Sequence, residues 1–362
     1  MKRFSALWVL MALVLSAWSC DDKAVTPAPG RVLQKGWRPA EIAMTEQELK
    51  DGGVGEVVTM GPWVLAMAGY GHLYLGKEGD SVWRKVAVPD SEPVSRIQTT
   101  TEGVFLCGVV NTGRVYTLDP LTLKWVDLGF PRQDSMRVRG LIAWQGRYVA
   151  FLSKLYRDSI KPIIQFSLTV GDQNNLDQGW RFPNTVTTVL GFDSILLAAT
   201  FDDGIYRYSV GDPAWRKLPP AYYQSTAFGA QEIRRPRSFA SLNGKLWVGQ
   251  LIDGLYSTGS LDSAIQPYLP PDSLKGAIPV DLFALLAWRG RLFIGGSNPE
   301  QPMVLDPATN ALKPIKGNFC RDAYGEWLCD YLTTWELAAT TDTLYAASGG
   351  RLFKIGYNDI PQ

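Results

Sequence analysis

The amino-acid sequence predicts an all-β fold in which seven four-stranded antiparallel sheets form a ring around a central channel. Three observations support this prediction: a turn-rich composition, an apolar segment that recurs seven times, and one order of short strands that the copies share. The 362 residues include 35 Gly and 23 Pro, are 46% hydrophobic and have a formal net charge of +1. This composition is typical of a globular, turn-rich protein, and its charge balance gives no reason to expect nucleic acid as a partner.

The recurring segment is a short apolar run, such as ILLAAT at 195–200 or LFIGGS at 292–297. A period of 20–50 residues is typical of repeat folds, and values near 40–50 are typical of radially arranged sheets. The intervals between successive copies range from 40 to 52 residues. The copies begin at Val64, Val104, Tyr148, Ile195, Leu246, Leu292 and Leu344.

The copies share one order of segments. A first apolar strand, such as VRGLIAW at 138–144, leads through a turn to the recurring run, which a third strand and a fourth segment, often with a Trp, follow. The recurring run is apolar on both faces, as in a sheet that is covered on both sides. Because one such sheet cannot bury both faces alone, we expect the copies to stack into a ring that leaves few exposed edges.

Trp residues recur at one position of the fourth segment, at Trp83, Trp125, Trp180 and Trp215. This regularity favours packing between neighbouring sheets over a row of sugar-binding platforms. Trp327 and Trp335 lie outside this pattern and are therefore the better candidates for binding.

The last copy lacks a fourth segment, because the sequence ends at Gln362 soon after RLFKI at 351–355. Residues 31–41, RVLQKGWRPAE, contain a Trp followed by a charged residue, as VWRKV and AWRKL do in the fourth segments. We therefore expect the N-terminal strand to complete the last sheet and close the ring.

These features together resemble the β-propeller superfamily over nearly all of residues 31–362. The run KLWVGQLIDGLYS is similar to sensor-type propeller repeats, while VYTLDPLTLKWVDL at 115–128 and LFIGGSNPEQPMVLDPATNALKPI at 292–315 resemble kelch repeats. The resemblance implies a seven-bladed propeller with four-stranded blades.

The N-terminal residues 1–19 have the pattern of a signal peptide. Lys2 and Arg3 precede an apolar stretch at 4–17, which AWS and Cys20 follow. The segment resembles a bacterial lipoprotein signal, in which Cys20 becomes the lipidated first residue. Cleavage after AWS without lipidation is the alternative. Residues 20–30 are too polar to fold on their own and predict a flexible tether before a single domain at 31–362.

The expected export of the protein affects how its other cysteines are interpreted. Cys320 and Cys329 flank a short loop, and an oxidising compartment favours a disulfide between them. Cys107 lies in the apolar run VFLCG, so we expect a buried, unreactive thiol.

Most catalytic patterns are absent from the sequence. His72 is the only histidine, which weakens triad and His-rich metal sites, and we interpret it as an ordinary surface residue. No phosphate-binding glycine motif is present, and FDDG at 201–204 is better explained as a turn than as a calcium loop. We expect no catalytic residues, no metal and no cofactor.

Three long segments break the repeat late in the sequence, at 219–237, 270–281 and 316–336. They precede consecutive copies and should lie together on the face where loops surround the channel. Aromatic and Arg residues are frequent anchors in interfaces. The candidate binding residues are Tyr222, Tyr223, Arg234, Arg235, Arg237, Arg321, Tyr324 and Trp327.

The function expected from these patterns is binding rather than catalysis. We expect an exported, lipid-anchored propeller of the cell envelope, in the periplasm or at the outer membrane surface, that binds a protein or a glycan through the long-loop face. One alternative is a lyase or glycosidase that uses carboxylate, Tyr or Arg groups at the channel mouth. Another is a structural or sensory subunit of an envelope complex.

Overall fold

Short antiparallel strands dominate the part of the chain that the structure, a computed structural model, describes. The described residues are 36–80, 83–130, 132, 134–154, 166–171, 181–182, 186–212, 214–219, 222–225, 229–232, 235–251, 254–268, 281–297, 302–315 and 333–361. Among them, no helix is long and apolar enough to cross a membrane.

The described chain begins with strand β1 (Arg38–Pro39) and the short helix α1 (Glu46–Lys50). The helix starts at a capping box, the reciprocal pairing that Thr-x-x-Glu favours. The Thr45 hydroxyl accepts from the amide of Glu48, and the Glu48 carboxylate accepts from the amide of Thr45.

The first three sheets each contain four strands that follow one another along the chain. Their strands are β2 (Val54–Met60), β3 (Trp63–Ala68), β4 (His72–Lys77), β5 (Arg84–Val86), β6 (Val94–Thr99), β7 (Phe105–Val109), β8 (Val115–Leu118), β9 (Trp125–Asp127), β10 (Met136–Trp144), β11 (Arg147–Lys154), β12 (Phe166–Gly171) and β13 (Arg181–Phe182). A 3-10 helix, Pro89–Ser91, joins the first sheet to the second.

The next three sheets have the same order, with one added two-stranded hairpin of β18 and β19. The strands are β14 (Val186–Phe192), β15 (Ile195–Thr200), β16 (Gly204–Ser209), β17 (Arg216–Lys217), β18 (Tyr222–Ser225), β19 (Gly229–Glu232), β20 (Pro236–Leu242), β21 (Lys245–Gln250), β22 (Gly254–Thr258), β23 (Gln266–Pro267), β24 (Leu282–Trp288), β25 (Arg291–Gly296), β26 (Met303–Asp306) and β27 (Ala311–Pro314).

The last sheet contains β28 (Thr334–Ala339), β29 (Thr343–Ser348) and β30 (Arg351–Gly356), with β1 at its outer edge. A 3-10 helix, Tyr357–Asp359, follows β30. In the antiparallel pair of β1 and β30, Arg38 lies opposite Lys354 and Pro39 opposite Phe353. The described residues therefore contain seven four-stranded sheets.

The sheets are arranged radially. The first strand of each sheet contacts the first strand of the next, in the order β2, β6, β10, β14, β20, β24, β28 and again β2. These first strands surround a channel, while the fourth strands lie at the outside. The fold is a β-propeller with four-stranded antiparallel blades, which we number one to seven from β2 to β28.

The space between blades is filled by the side chains that the repeat pattern predicts. Trp83 of blade one is buried, with its ring 6.3 Å from that of Tyr345 in blade seven. Trp215 of blade four is buried 5.1 Å from the ring of Phe182 in blade three. The indole of Trp125 donates to the carbonyl oxygen of Ala87 at the end of blade one. Interblade packing is thus confirmed for these three Trp residues, and Trp180 lies outside the described residues.

Trp37 has the corresponding place in blade seven. Its side chain is fully buried among apolar residues of blades six and seven, including Phe293 and Phe353. Its indole N–H donates to the carbonyl oxygen of Ile315, 3.3 Å away. Trp37 therefore connects the N-terminal strand to blade six as well as to its own blade.

The first and last blades approach closely beside β2. The amide of Val54 donates to the carbonyl oxygen of Gly350 at 2.8 Å. Gly53 has φ +57, and a Cβ atom at this position would overlap that same carbonyl oxygen. Glycine is thus required here both for its left-handed backbone and for its lack of a side chain.

Candidate functional site

Every blade has a β-bulge at the same place, near the start of its first strand. In blade one, Val54 pairs with Ala68 and Glu56 with Met67, so Gly55 between them has no partner. A bulge re-aims the side chain of its extra residue and is common beside functional sites. The seven extra residues are Gly55, Ser95, Arg139, Thr187, Arg237, Phe283 and Trp335.

A cavity of about 460 Å³ lies at this end of the channel. This volume is in the range of small-molecule sites. All the bulge residues except Arg139 line it. The remaining lining residues are Asp51, Gly52, Gly53, Glu56, Met67, Gly69, Arg96, Arg137 and Glu336. We call this cavity the channel mouth.

Glu56, Arg96 and Glu336 form the inner boundary of the channel mouth, because they also line a deeper cavity of about 250 Å³. Arg96 donates to Glu56 at 2.7 Å, and Glu56 also accepts from the amide of Ile97. The neighbouring carboxylate raises the pKa of Arg96. The Glu56–Arg96 pair is thus a fixed, partly buried ion pair.

Glu336 differs from Glu56 because it forms no ion pair in the described structure. Burial raises the pKa of its carboxyl to about 7; Glu56 also raises it, while Arg96 and the amide of Leu337 oppose the change. A carboxyl that titrates near neutral pH can both donate and accept a proton there. Perturbed acids of this kind are frequent in functional sites.

Blade three contributes positive charge to the mouth. Arg137 lines the cavity, and Arg139 lies two residues further on and donates to the Ser153 hydroxyl at 3.1 Å. Burial, with the charges of Arg137 and Arg96, lowers the pKa of Arg139 to about 10. Within the described part of the chain, neither Arg137 nor Arg139 forms an ion pair with a carboxylate.

Blades five, six and seven contribute an arginine and an aromatic pair. The guanidinium of Arg237 lies 5.8 Å from the ring centre of Phe283. The rings of Phe283 and Trp335 are 4.6 Å apart at 55°, and Trp335 is 39% exposed. Burial lowers the pKa of Arg237, and the negative charge of Asp281 opposes this change.

Several buried donors have no hydrogen-bond partner among the described residues, including Trp144 Nε1, Trp215 Nε1 and Arg291 Nη1. The Nε atoms of Arg137 and Arg237 belong to this group, and both residues line the mouth. Leaving a buried donor unsatisfied costs about 1–3 kcal/mol. Because both side chains line the mouth, a ligand there is a candidate partner for their guanidinium groups.

The deeper cavity has a mixed lining of polar and apolar side chains. Val58, Val189, Leu190, Leu285 and Leu337 are among the residues that line the deeper cavity. Thr59, Gln98, Thr99 and Thr188 line the same cavity, so polar groups continue from the mouth along the channel.

Two of the binding residues predicted from the sequence are described with their side chains. Arg237 lines the channel mouth. Arg235 does not, because its guanidinium pairs with Asp202 at 2.6 Å and lies over the ring of Phe201. Tyr222 and Tyr223 lie in β18, but their side chains are outside the described part of the structure, as are Arg234, Arg321, Tyr324 and Trp327.

The cysteine and histidine predictions have different outcomes. Cys107 is a buried free thiol whose pKa is raised by burial, as expected. His72 is 47% exposed in β4, with its Nε2 atom 3.7 Å from Glu48, and it does not line the mouth. Cys20, Cys320 and Cys329 lie outside the described residues. No described group of three or more His, Cys, Asp or Glu side chains is arranged to hold a metal.

Several Asp side chains stabilise turns between strands through local hydrogen bonds. Asp80 and Asp212 accept from the amides of Lys77 and Ser209, and Asp119 accepts from the amide of Leu121 and the hydroxyl of Thr122. The kelch-like D-P-x-T sequence at 119–122 therefore has a local structural explanation.

Sequence reasoning missed most of the channel mouth. Glu56, Arg96, Arg137, Arg139 and Glu336 lie in first strands that look like ordinary blade segments. Aligning the repeats on their first strands could have revealed them, because charged residues occur at positions where other copies have Gly, Ser, Thr or Ala. Trp335 was singled out by its position outside the Trp pattern.

Neither a protein-family model nor a curated protein sequence matches the chain. The kelch and sensor-type resemblances therefore have no support from a family. Solved structures do match at the level of the fold. A streptogramin B lyase is similar with a TM-score of 0.59 and 13% identity, over 90% of this chain and 98% of that one.

Two further structures have similar scores. One is a catalytically inactive histidine-to-alanine variant of virginiamycin B lyase from Staphylococcus aureus with quinupristin, with a TM-score of 0.58 and 13% identity over 88% of this chain and 98% of that one. The other is the extracellular domain of a hybrid two-component system from B. thetaiotaomicron, with a TM-score of 0.58 and 11% identity over 88% of this chain and 39% of that one. At these identities the likeness shows the β-propeller fold.

Proposed function

We propose that the protein is an exported propeller of the cell envelope that binds a glycan at the channel mouth. The observation that supports this proposal most strongly is the cavity itself. Side chains that break the repeat line it, including Arg137 and Arg237 with unsatisfied Nε donors and the exposed ring of Trp335. A protein partner at the same face is the alternative that the binding experiment distinguishes.

The long segments of the sequence support the same location. Those at 219–237, 270–281 and 316–336 lead into β20, β24 and β28, whose first residues surround the mouth. We propose that these loops extend the binding surface and that Tyr222, Tyr223, Arg234, Arg321, Tyr324 and Trp327 contribute to it.

A matched pair of variants tests the site. The variant Arg137→Ala/Trp335→Ala alters the mouth, and Arg147→Ala alters the opposite end of the same hairpin of blade three. The full-length protein in detergent is immobilised and exposed to separate glycan and protein fractions of bacterial envelopes. We expect glycan capture that the mouth variant loses and Arg147→Ala retains. Equal capture by both variants would show that the mouth is not the site, and mouth-dependent capture of protein alone would replace the glycan with a protein partner.

A lyase or glycosidase is a second candidate, because the carboxyl of Glu336 titrates near pH 7 beside Arg96 and Glu56. His72, the only histidine, lies away from the mouth, so this chemistry would depend on carboxylate and Arg groups. Incubating a captured glycan with the protein would then produce new chain ends, detectable by mass spectrometry. If Glu336→Gln produces no new chain ends, the activity belongs to this site. If the parent protein leaves the glycan unchanged, binding remains the function.

Export and anchoring form a separate part of the proposal. Acyl chains on Cys20 would contribute about 0.8 kcal/mol per buried CH₂, enough for stable attachment when several chains act together. A Cys20→Ser protein should appear in the soluble fraction, whereas continued membrane partitioning would exclude this anchor. We also propose a Cys320–Cys329 disulfide, which peptide mapping without reductant should detect as one linked peptide.

A further inference from the structure

We infer that the ligand of the channel mouth is an acidic saccharide, whose carboxylate or sulfate binds to Arg137 and Arg237 while a sugar ring stacks on Trp335. This inference rests on the proposed function, because it names the ligand chemistry of the same cavity. Positive charge, aromatic surface and hydrogen-bond acceptors are all present in the mouth.

The anionic end of the ligand lies toward blades three to five. Arg137 of blade three and Arg237 of blade five both line the cavity and both have an unpartnered Nε donor among the described residues. Arg139 adds a further positive charge that no described carboxylate pairs with, and Asp281 offsets only the charge at Arg237. A guanidinium fork matches a carboxylate or a sulfate through two parallel N–H bonds.

The ring of the ligand lies toward blades six and seven. Trp335 is 39% exposed, whereas Trp37, Trp83, Trp215 and Trp247 are buried. Phe283 packs against the indole, with 4.6 Å between ring centres. A supported, exposed aromatic face at the edge of a cavity is suited to the C–H face of a sugar ring.

The carboxylates in the same cavity distinguish a saccharide from a phosphate ester. Asp51, Glu56 and Glu336 line the mouth together with the Ser95 side chain. Carboxylates accept hydrogen bonds from sugar hydroxyls, but they would repel the clustered charges of a di- or triphosphate. A ligand with one acidic group and several hydroxyls matches both the arginines and the carboxylates of the mouth.

Calorimetry with defined probes tests this chemistry on the full-length protein in detergent. The probes are a galacturonate oligosaccharide, its fully methyl-esterified form, and a sulfated oligosaccharide with its desulfated form. We expect each acidic probe to bind about tenfold or more tightly than its neutral partner, as charged hydrogen bonds predict. The pair with the larger difference identifies carboxylate or sulfate as the anion.

Single-residue variants test where the anionic group and the sugar ring of the ligand bind. Arg137→Ala should reduce the preference for the acidic form several-fold, Arg137→Lys should retain more of it, and Trp335→Ala should weaken the binding of both forms. Arg147→Ala at the far end of the hairpin should change neither the preference nor the affinity. Equal affinity for acidic and neutral probes, or a preference that Arg137→Ala leaves undiminished, would overturn the inference.

The failure of this inference differs from the failure of the proposed function. If no probe binds but an envelope glycan is still captured in a manner that depends on Trp335, the acidic-saccharide inference is wrong and glycan binding at the mouth stands. If every mouth variant captures the glycan as well as the parent protein does, both the inference and the proposed function are wrong.

Discussion

The channel mouth and the spaces between blades are built from the same strands but follow opposite rules. Between blades, one residue type returns at one position, as with Trp37, Trp83 and Trp215, and the side chains are buried. At the mouth, the bulge positions of different blades hold Ser95, Thr187, Arg237, Phe283 and Trp335.

This difference between the two regions follows from what their side chains pack against. A blade must pack against a nearly identical blade, so its packing positions repeat. The bulges face a shared space at the axis, where no neighbouring blade needs a matching side chain. Side chains at the mouth are therefore free to differ, and their differences create one site from seven similar strands.

The largest expected effect concerns the repeated packing. Trp37→Ala should lower the free energy of unfolding by about 3–5 kcal/mol, because it removes a fully buried indole between blades six and seven. Denaturant titration followed by Trp fluorescence measures the change. Leu121→Ala, at a side chain that is 76% exposed, is the control. A cost at Trp37 below about 0.5 kcal/mol would show that β1 does not hold the ring closed.

The second prediction tests a buried charge that is fully partnered. Burial alone would raise the pKa of Glu48, but hydrogen bonds from Lys85, Thr45 and Tyr74 lower it to about 2. This lowered pKa stabilises the fold above pH 4.5, and the stabilisation is lost as the pH falls toward 2. Glu48→Gln should therefore cost about 2 kcal/mol at pH 7 and less toward pH 2. A pH-independent cost would contradict this account.

The third prediction concerns a charge at the mouth with the opposite sign of shift. Burial raises the pKa of Glu336 to about 7, so the folded protein binds more protons than the unfolded chain between pH 4.5 and 7. Stability should fall as the pH rises through this window. Glu336→Gln should match the parent near pH 4.5 and be more stable by about 1–2 kcal/mol at pH 8. Unfolding curves at both pH values that show no such gain would exclude the shift.

The smallest expected effect on stability concerns Arg139, the bulge residue of blade three. Arg139→Met removes a charge that no described carboxylate balances, so stability should change by less than about 0.5 kcal/mol or rise slightly. Arg96→Met is the matched comparison, because it leaves Glu56 without its partner and should be destabilising. Equal losses in the two variants would show that Arg139 is a structural residue of the blade.

Much of the fold followed from the sequence, because strand order is a local property. The runs at Val64, Ile195, Leu246 and Leu344 lie in second strands, as the repeat pattern predicted. Their hydrophobicity and spacing depend only on neighbours in the chain and on the two similar blades that pack on either side. The candidate site was less accessible, since Arg235 and Arg237 look alike in the sequence while only Arg237 reaches the cavity.

The sequence by itself determined the repeat, the order of strands within each blade and the interblade positions of the Trp residues. Tertiary structure alone decided which side chains meet at the axis. Glu56, Arg96, Arg137, Arg237 and Glu336 come from five blades, separated by whole repeats along the chain. Their charges, the raised pKa of Glu336 and the unsatisfied arginine donors arise only when the ring brings the starts of the first strands together.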